Sequence, residues 1–181
     1  NIAANQAYFL FVRGDRTVDR MTAGAASGAT TLRVLGEVKQ GNLTAGITGT
    51  SFSLIPNPYP SPLDFNAIKA IASNSSINTF YVWDASLGSV GQYRTVQITG
   101  SGPNYTYTAT PGSANDNWRF IESGTAFFVA GNRTVDFTEG TKTAGNPPSS
   151  MLRTTTGNET ELVINLHTIS NDNKIQPADG I

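Results

Sequence analysis

The chain contains no cysteine, which excludes a disulfide framework, a thiolate metal site and a cysteine nucleophile together. Charge is scarce as well. Lys, Arg, Asp and Glu make up 14% of the residues, against about a quarter in an ordinary soluble domain. With 12 basic and 13 acidic side chains the formal net charge is −1, so no global field draws in nucleic acid or an anionic membrane surface. No apolar run approaches the roughly 20 residues that a helix needs to span a bilayer. Residues 1–6, Asn-Ile-Ala-Ala-Asn-Gln, lack the basic flank of a signal peptide. Histidine occurs once, as His167, and no Gly-x-Ser-x-Gly nucleophile elbow is present. A Ser-His-Asp hydrolase is therefore not indicated, and His167 reads as a structural or surface residue.

What the chain does contain is glycine, threonine, serine and asparagine, with β-branched and aromatic residues in short runs. A length of 181 residues fits one domain with a proper core. The pattern predicts an all-β protein: a single β-sandwich, jelly-roll-like, with one short helix. The absence of an initiator methionine and the uncapped end around Gly180 and Ile181 suggest a module cut from a longer chain.

The least ordinary stretch is 53–65, where Pro58, Pro60 and Pro62 alternate after Pro56. Proline fixes φ, removes a donor and restricts the residue before it, so Asn57, Tyr59 and Ser61 share the constraint. The stretch predicts a rigid, extended crossing, with Tyr59–Pro60 the place to expect a cis bond. After it, Phe65, Ile68 and Ile71 fall at helical spacing, with Asp64 as N-cap and Asn74 as stop. Residues 8–12 and 78–84 carry apolar side chains at both parities and predict strands buried on both faces, with Trp83 in the core. Residues 92–98 and 104–110 alternate more cleanly and predict half-exposed strands, with Tyr105, Tyr107 and Ala109 on one face. Further short strands at 31–35, 43–47, 51–55, 125–129, 134–138, 151–155 and 161–168 bring the expected number to about eleven. Phe-Val-Arg-Gly-Asp-Arg-Thr-Val-Asp at 11–19 returns as Phe-Val-Ala-Gly-Asn-Arg-Thr-Val-Asp at 128–136, predicting one hairpin built twice. Two copies do not make a solenoid.

The blocks Phe-Val-Arg-Gly-Asp-Arg-Thr (11–17), Thr-Leu-Arg (31–33), Asn-Pro-Tyr-Pro-Ser (57–61), Leu63-Asp64, Phe-Tyr-Val-Trp (80–83), residues 121–129 and Met-Leu-Arg (151–153) occur in an order that covers almost the whole chain. In this it resembles a module of large Bacteroidetes surface proteins that usually precedes a type IX secretion sorting domain. The resemblance implies an extracellular or cell-surface location. Pro56 stands where that pattern has glycine. The resemblance supplies no catalytic residues.

Individual residues offer limited chemistry. Asn115-Asp116-Asn117 and Asn171-Asp172-Asn173 are rich in oxygen, but neither continues into the spaced acidic loop of a calcium site, and both read as Asx turns. No cofactor is expected, with calcium at these two clusters as the alternative. Arg13-Gly14-Asp15 reads as turn geometry, because it returns as Ala130-Gly131-Asn132. A glycosidase needs two carboxylates across a cleft, and no spacing selects a pair. Sugars stack on tryptophan and tyrosine while amides, carboxylates and guanidinium groups meet their hydroxyls. Trp118, between Asn115, Asp116 and Arg119, is the best such constellation, and Tyr59 is either a platform or a plug. The expectation is a non-catalytic structural or adhesion module, with carbohydrate binding as the alternative and a glycan-active enzyme as a third reading. Partners are a glycan, another surface protein or a second copy through strand edges, with neither nucleic acid nor membrane insertion expected.

Overall fold

The computed structural model describes residues 6–10, 36–88, 91–112, 116–145, 167–169 and 175–177, with Asp116 and the last two segments as backbone only. In chain order these hold β1 (Leu43–Ala45), β2 (Phe52–Pro56), β3 (Leu63–Asp64), α1 (Phe65–Ala70), β4 (Thr79–Asp84), β5 (Gln92–Ser101), β6 (Asn104–Thr110), β7 (Phe120–Ile121), β8 (Ala126–Ala130), β9 (Val135–Phe137), β10 (His167–Ile169) and β11 (Ile175–Pro177). The strands at 31–35 and 151–155, the first repeat at 11–19 and the Asn171-Asp172-Asn173 cluster lie outside the described residues.

Among the described residues all pairings are antiparallel, and the main sheet runs β2-β8-β4-β5-β6. Three two-stranded ribbons accompany it: β1-β9, β3-β7 and β10-β11. The fold is all-β, consistent with a sandwich. One face of the main sheet presents Ile55, Phe80, Val96, Ile98, Tyr107, Ala109, Phe127 and Val129 to the core. The layer against it comes from α1 and two of the ribbons, through Phe65, Ile68, Leu63, Ile121, Ala45, Val135 and Phe137. At the centre Phe65 stacks on Phe80 at 4.2 Å, and Phe127 meets both edge-on at 5.6 and 5.9 Å. Full burial of each such ring stabilises the fold by about 1.5–3 kcal/mol.

The proline stretch holds this layer in place. β2 is an edge strand and ends at Pro56, where a missing N–H leaves no central ladder bond unmade. Beyond it the side chain of Asn57 supplies the hydrogen bonds that the prolines lack. Its Nδ2 donates to the carbonyls of Ser61 at 2.8 Å and Glu122 at 3.1 Å, its Oδ1 accepts from the Tyr59 N–H at 3.0 Å, and its own N–H donates to the Thr125 carbonyl at 2.9 Å. The expected cis bond at Tyr59–Pro60 is not there. Among the described residues the cis bonds are Gly102–Pro103 and Thr110–Pro111, at the two ends of β6. The crossing has no tight X-Pro reversal to make, because Asn57 bridges it in the trans form.

Asp64 caps α1, accepting from the Asn66 N–H at 2.9 Å. The helix ends at Ala70, and a 3₁₀ turn carries the chain through Asn74. There buried Asn74 donates to the carbonyls of Ile68 at 3.0 Å and Asp136 at 2.7 Å, tying the helix to β9. Lys69, also buried, donates to the carbonyls of Ser75 and Ile77 and to Asn78 Oδ1 at 2.6–2.9 Å.

Two sequence expectations change. Residues 6–10 form no strand, and Tyr8, Phe9 and Leu10 are exposed; the ring of Phe9 reaches the main sheet at Phe128, 6.1 Å away, without entering a ladder. The second repeat is not a hairpin. β8 pairs with β2 and β4, whereas β9 pairs with β1, so the turn at Gly131 (φ +86°) carries the chain from one sheet to another. Its Gly-Asn pair serves a corner, where a left-handed residue reverses the chain without requiring its flanking strands to pair.

Asn57→Ala leaves the Ser61 and Glu122 carbonyls and the Tyr59 N–H without this partner. A destabilisation of about 2–4 kcal/mol is expected from the 1–3 kcal/mol typical of a buried unsatisfied group, read as a lower urea midpoint at unchanged slope.

Candidate functional site

The side chains singled out from sequence do not assemble into an open site. Trp118 is 8% exposed and belongs to the core. Its ring is covered by the Arg94 guanidinium, 5.0 Å from the ring centroid. Arg94 in turn is held by Asp84, Nε to Oδ2 at 2.6 Å, and donates to the Pro111 carbonyl. Trp118 is therefore a packing residue, and a sugar finds no open ring there. Tyr59 is 2% exposed and acts as the plug. Its hydroxyl donates to the Gly41 carbonyl, its ring meets Phe137 edge-on, and Lys142 Nζ sits 4.3 Å over its face. Arg119 lies 3.4 Å from Asp64 and stacks on Phe120, its Nε buried without a partner. Asp116 opens the 3₁₀ turn Asp116–Arg119, and Asn115 lies outside the described residues.

The exposed aromatic rings gather on the other face of the main sheet. The period of two that sends Phe80 and Val82 inward sends Tyr81 and Trp83 outward. Register then aligns Leu54, Phe128, Tyr81, Thr95 and Thr110 in one row across all five strands. Beside that row Trp83 faces Tyr93, and Phe52 lies 5.3 Å from Tyr81. Trp83 is 38% exposed, Tyr93 39% and Phe52 47%, so the expectation of a buried Trp83 is overturned. The rings contact one another edge to face, Trp83 with Tyr93 at 5.0 Å and Tyr93 with Phe128 at 5.6 Å. Such pairs fix ring orientation beyond what burial alone provides.

Gly91 sets the height of the indole. A Cβ at this position would stand 2.5 Å from Trp83 Cζ2 and 2.8 Å from Cε2, and its φ is +86°. Only glycine lets the tryptophan lie this close to the backbone. Towards β6 the face turns polar without turning charged: Thr95, Gln97 and Thr99 on β5 stand opposite Thr110, Thr108 and Thr106. No described strand of the main sheet contributes a charged side chain to this face. Burial raises the Tyr93 phenol above its ordinary value, so this group also stays neutral across the physiological range.

The charges lie on the inner side and at the rim. Burial pushes the Asp84 carboxyl up, but hydrogen bonds from Ser86 and Arg94 outweigh it and leave the group below its ordinary value. Hydrogen bonds from Ser73 and Thr44 lower Asp136. Among the described residues no group of three His, Cys, Asp or Glu side chains is placed to hold a metal ion, and no helix is long and apolar enough to cross a membrane. Comparison with protein families, with curated proteins and with solved structures finds no match to this chain.

The tryptophan assignments predict a fluorescence result. Acrylamide should quench the Trp118→Phe protein, which retains Trp83, several-fold more effectively than the Trp83→Phe protein, which retains Trp118. A pH result follows from Asp84. A carboxylate held below its unfolded value adds stability that is present above that value, about 3.9, and lost as pH falls through the folded value. The melting temperature should therefore drop below about pH 4, and Asp84→Asn should lower it at pH 7 while making the acid drop smaller.

Proposed function

We propose that this chain is a non-catalytic module of an extracellular bacterial protein, exported by the type IX route, that serves in surface presentation or adhesion through the outer face of its main sheet. The observation that carries the adhesive part is that face: exposed aromatic rings in fixed mutual orientation, set in a surface without charged side chains. Exposed apolar patches on a soluble domain mark interaction sites more often than accidents of composition. Location rests on other grounds. The block order around Asn-Pro-Tyr-Pro-Ser resembles the Bacteroidetes surface module, and a chain without cysteine and with little charge suits that setting.

Attachment and location are tested separately. Beads coated with the chain should attach to whole-cell or extracellular-matrix surfaces more than beads coated with a Trp83→Ala, Tyr93→Ala protein of the same melting temperature. Equal attachment would remove the adhesive reading. In cells making the parent protein, added protease should strip the module from the intact surface and should no longer reach it when the type IX translocon is deleted. Protection in both strains would contradict export by this route.

A further inference from the structure

We infer that the outer face takes a neutral polysaccharide, with Trp83 as the stacking ring, Tyr93 holding it edge to face, and the Thr and Gln rows of β5 and β6 as the hydroxyl-binding part; this rests on the adhesive reading of the same face. Three features of the surface choose this ligand. The first is the pairing of rings with hydroxyls and amides. A pyranose offers an apolar CH face and an equatorial belt of hydroxyls, and it needs an aromatic face beside donors and acceptors that are not already paired into the ladder. Thr95, Gln97, Thr108 and Thr110 provide side chains of that type, standing off backbone groups that the β5-β6 ladder satisfies. The row from Tyr81 through Thr95 to Thr110 crosses two strand spacings, about 10 Å, roughly the reach of a disaccharide.

The second feature is charge. A sheet face without Lys, Arg, Asp or Glu has no counterpart for a uronate, a sulfate or a phosphodiester, and a protein interface of this size ordinarily brings arginine or methionine to its aromatic centre. A neutral chain of sugars matches a neutral face. The third is preorganisation. Trp83 rests on Gly91 and is braced by Tyr93, so the platform loses little freedom when a ligand stacks on it. Phe9 reaches Phe128, which in turn meets Tyr93, yet Trp83 and Tyr93 keep 38% and 39% of their surface exposed.

The test uses the whole chain in affinity electrophoresis and calorimetry against cellulose, xylan, β-mannan and starch, with alginate and chondroitin sulfate as anionic comparisons. At least one neutral polymer should be bound, with an affinity that changes less than twofold between low and high salt, since no ion pair forms to be screened. Trp83→Ala and Tyr93→Ala should each weaken binding at least tenfold, and Trp118→Phe should leave it unchanged. Gln97→Lys, which puts a charge on the polar row without touching the rings, should weaken it severalfold; it covers the possibility that an aromatic variant unfolds. The proposal is overturned if no neutral polymer binds to the folded chain, if binding survives Trp83→Ala, or if the anionic polymers bind better. A Trp83-dependent dimer in sedimentation, with no glycan binding, also overturns it in favour of a second copy. Bead attachment that depends on Trp83 but is not competed by any neutral polymer would leave adhesion standing and remove the glycan.

Discussion

The architecture depends on a stretch of backbone that is short of hydrogen-bond donors. Four prolines between positions 56 and 62 remove four donors, and Asn57 restores connectivity with its side chain, reaching Ser61, Tyr59 and the loop before β8. Everything on the inner layer follows from where this crossing ends. It delivers Leu63 to β7, Asp64 to the cap of α1, and Phe65 to its stack on Phe80. Tyr59, fixed between Pro58 and Pro60, closes the layer against Phe137 and the Gly41 carbonyl. The prolines reduce the entropy that this crossing loses on folding, and Asn57 makes its one geometry specific.

Because the inner layer is complete in this way, the main sheet spends its best packing residues on one side and leaves aromatic rings on the other. The same strand, β4, contributes to both faces: Phe80 is fully buried and Trp83, three residues on, is open. Strand pairing across the sheet keeps the outer rings in register. A sheet face buttressed from behind is held in place without further support, which is the property that the proposed adhesive role requires.

Much of the fold was legible in the sequence. The alternation of Tyr105, Tyr107 and Ala109 against the threonines gives β6 and its inward face, Asp64 announces the cap of α1, and the prolines mark a crossing that is neither helix nor central strand. Which tryptophan is exposed was not legible, for a physical reason. Trp83 and Trp118 have opposite exposures to those expected, because hydrophobicity and local polarity report what a residue tolerates, and only the packing of the second layer decides which face is covered. Apolar residues at both parities in 79–84 read as burial on both sides, whereas the structure covers one. Polar neighbours around Trp118 read as exposure, whereas half-buried Arg94, held by buried Asp84, turns inward over the indole. The repeated Phe-Val-x-Gly segment was visible, but whether it makes a hairpin or a corner is set by the partners of β8 and β9.

The central claim is that the outer face of the main sheet, and not the Trp118 constellation, is the working surface of this protein. The most direct measurement is an amide and side-chain NMR titration of the whole chain with neutral oligosaccharides of cellulose, xylan, β-mannan and starch. The account predicts shifts in the Trp83 indole N–H and in Thr95, Gln97 and Thr108, with the Trp118 indole N–H unmoved. Shifts centred on Trp118 and Arg119, with the Trp83 signal unmoved, would contradict it.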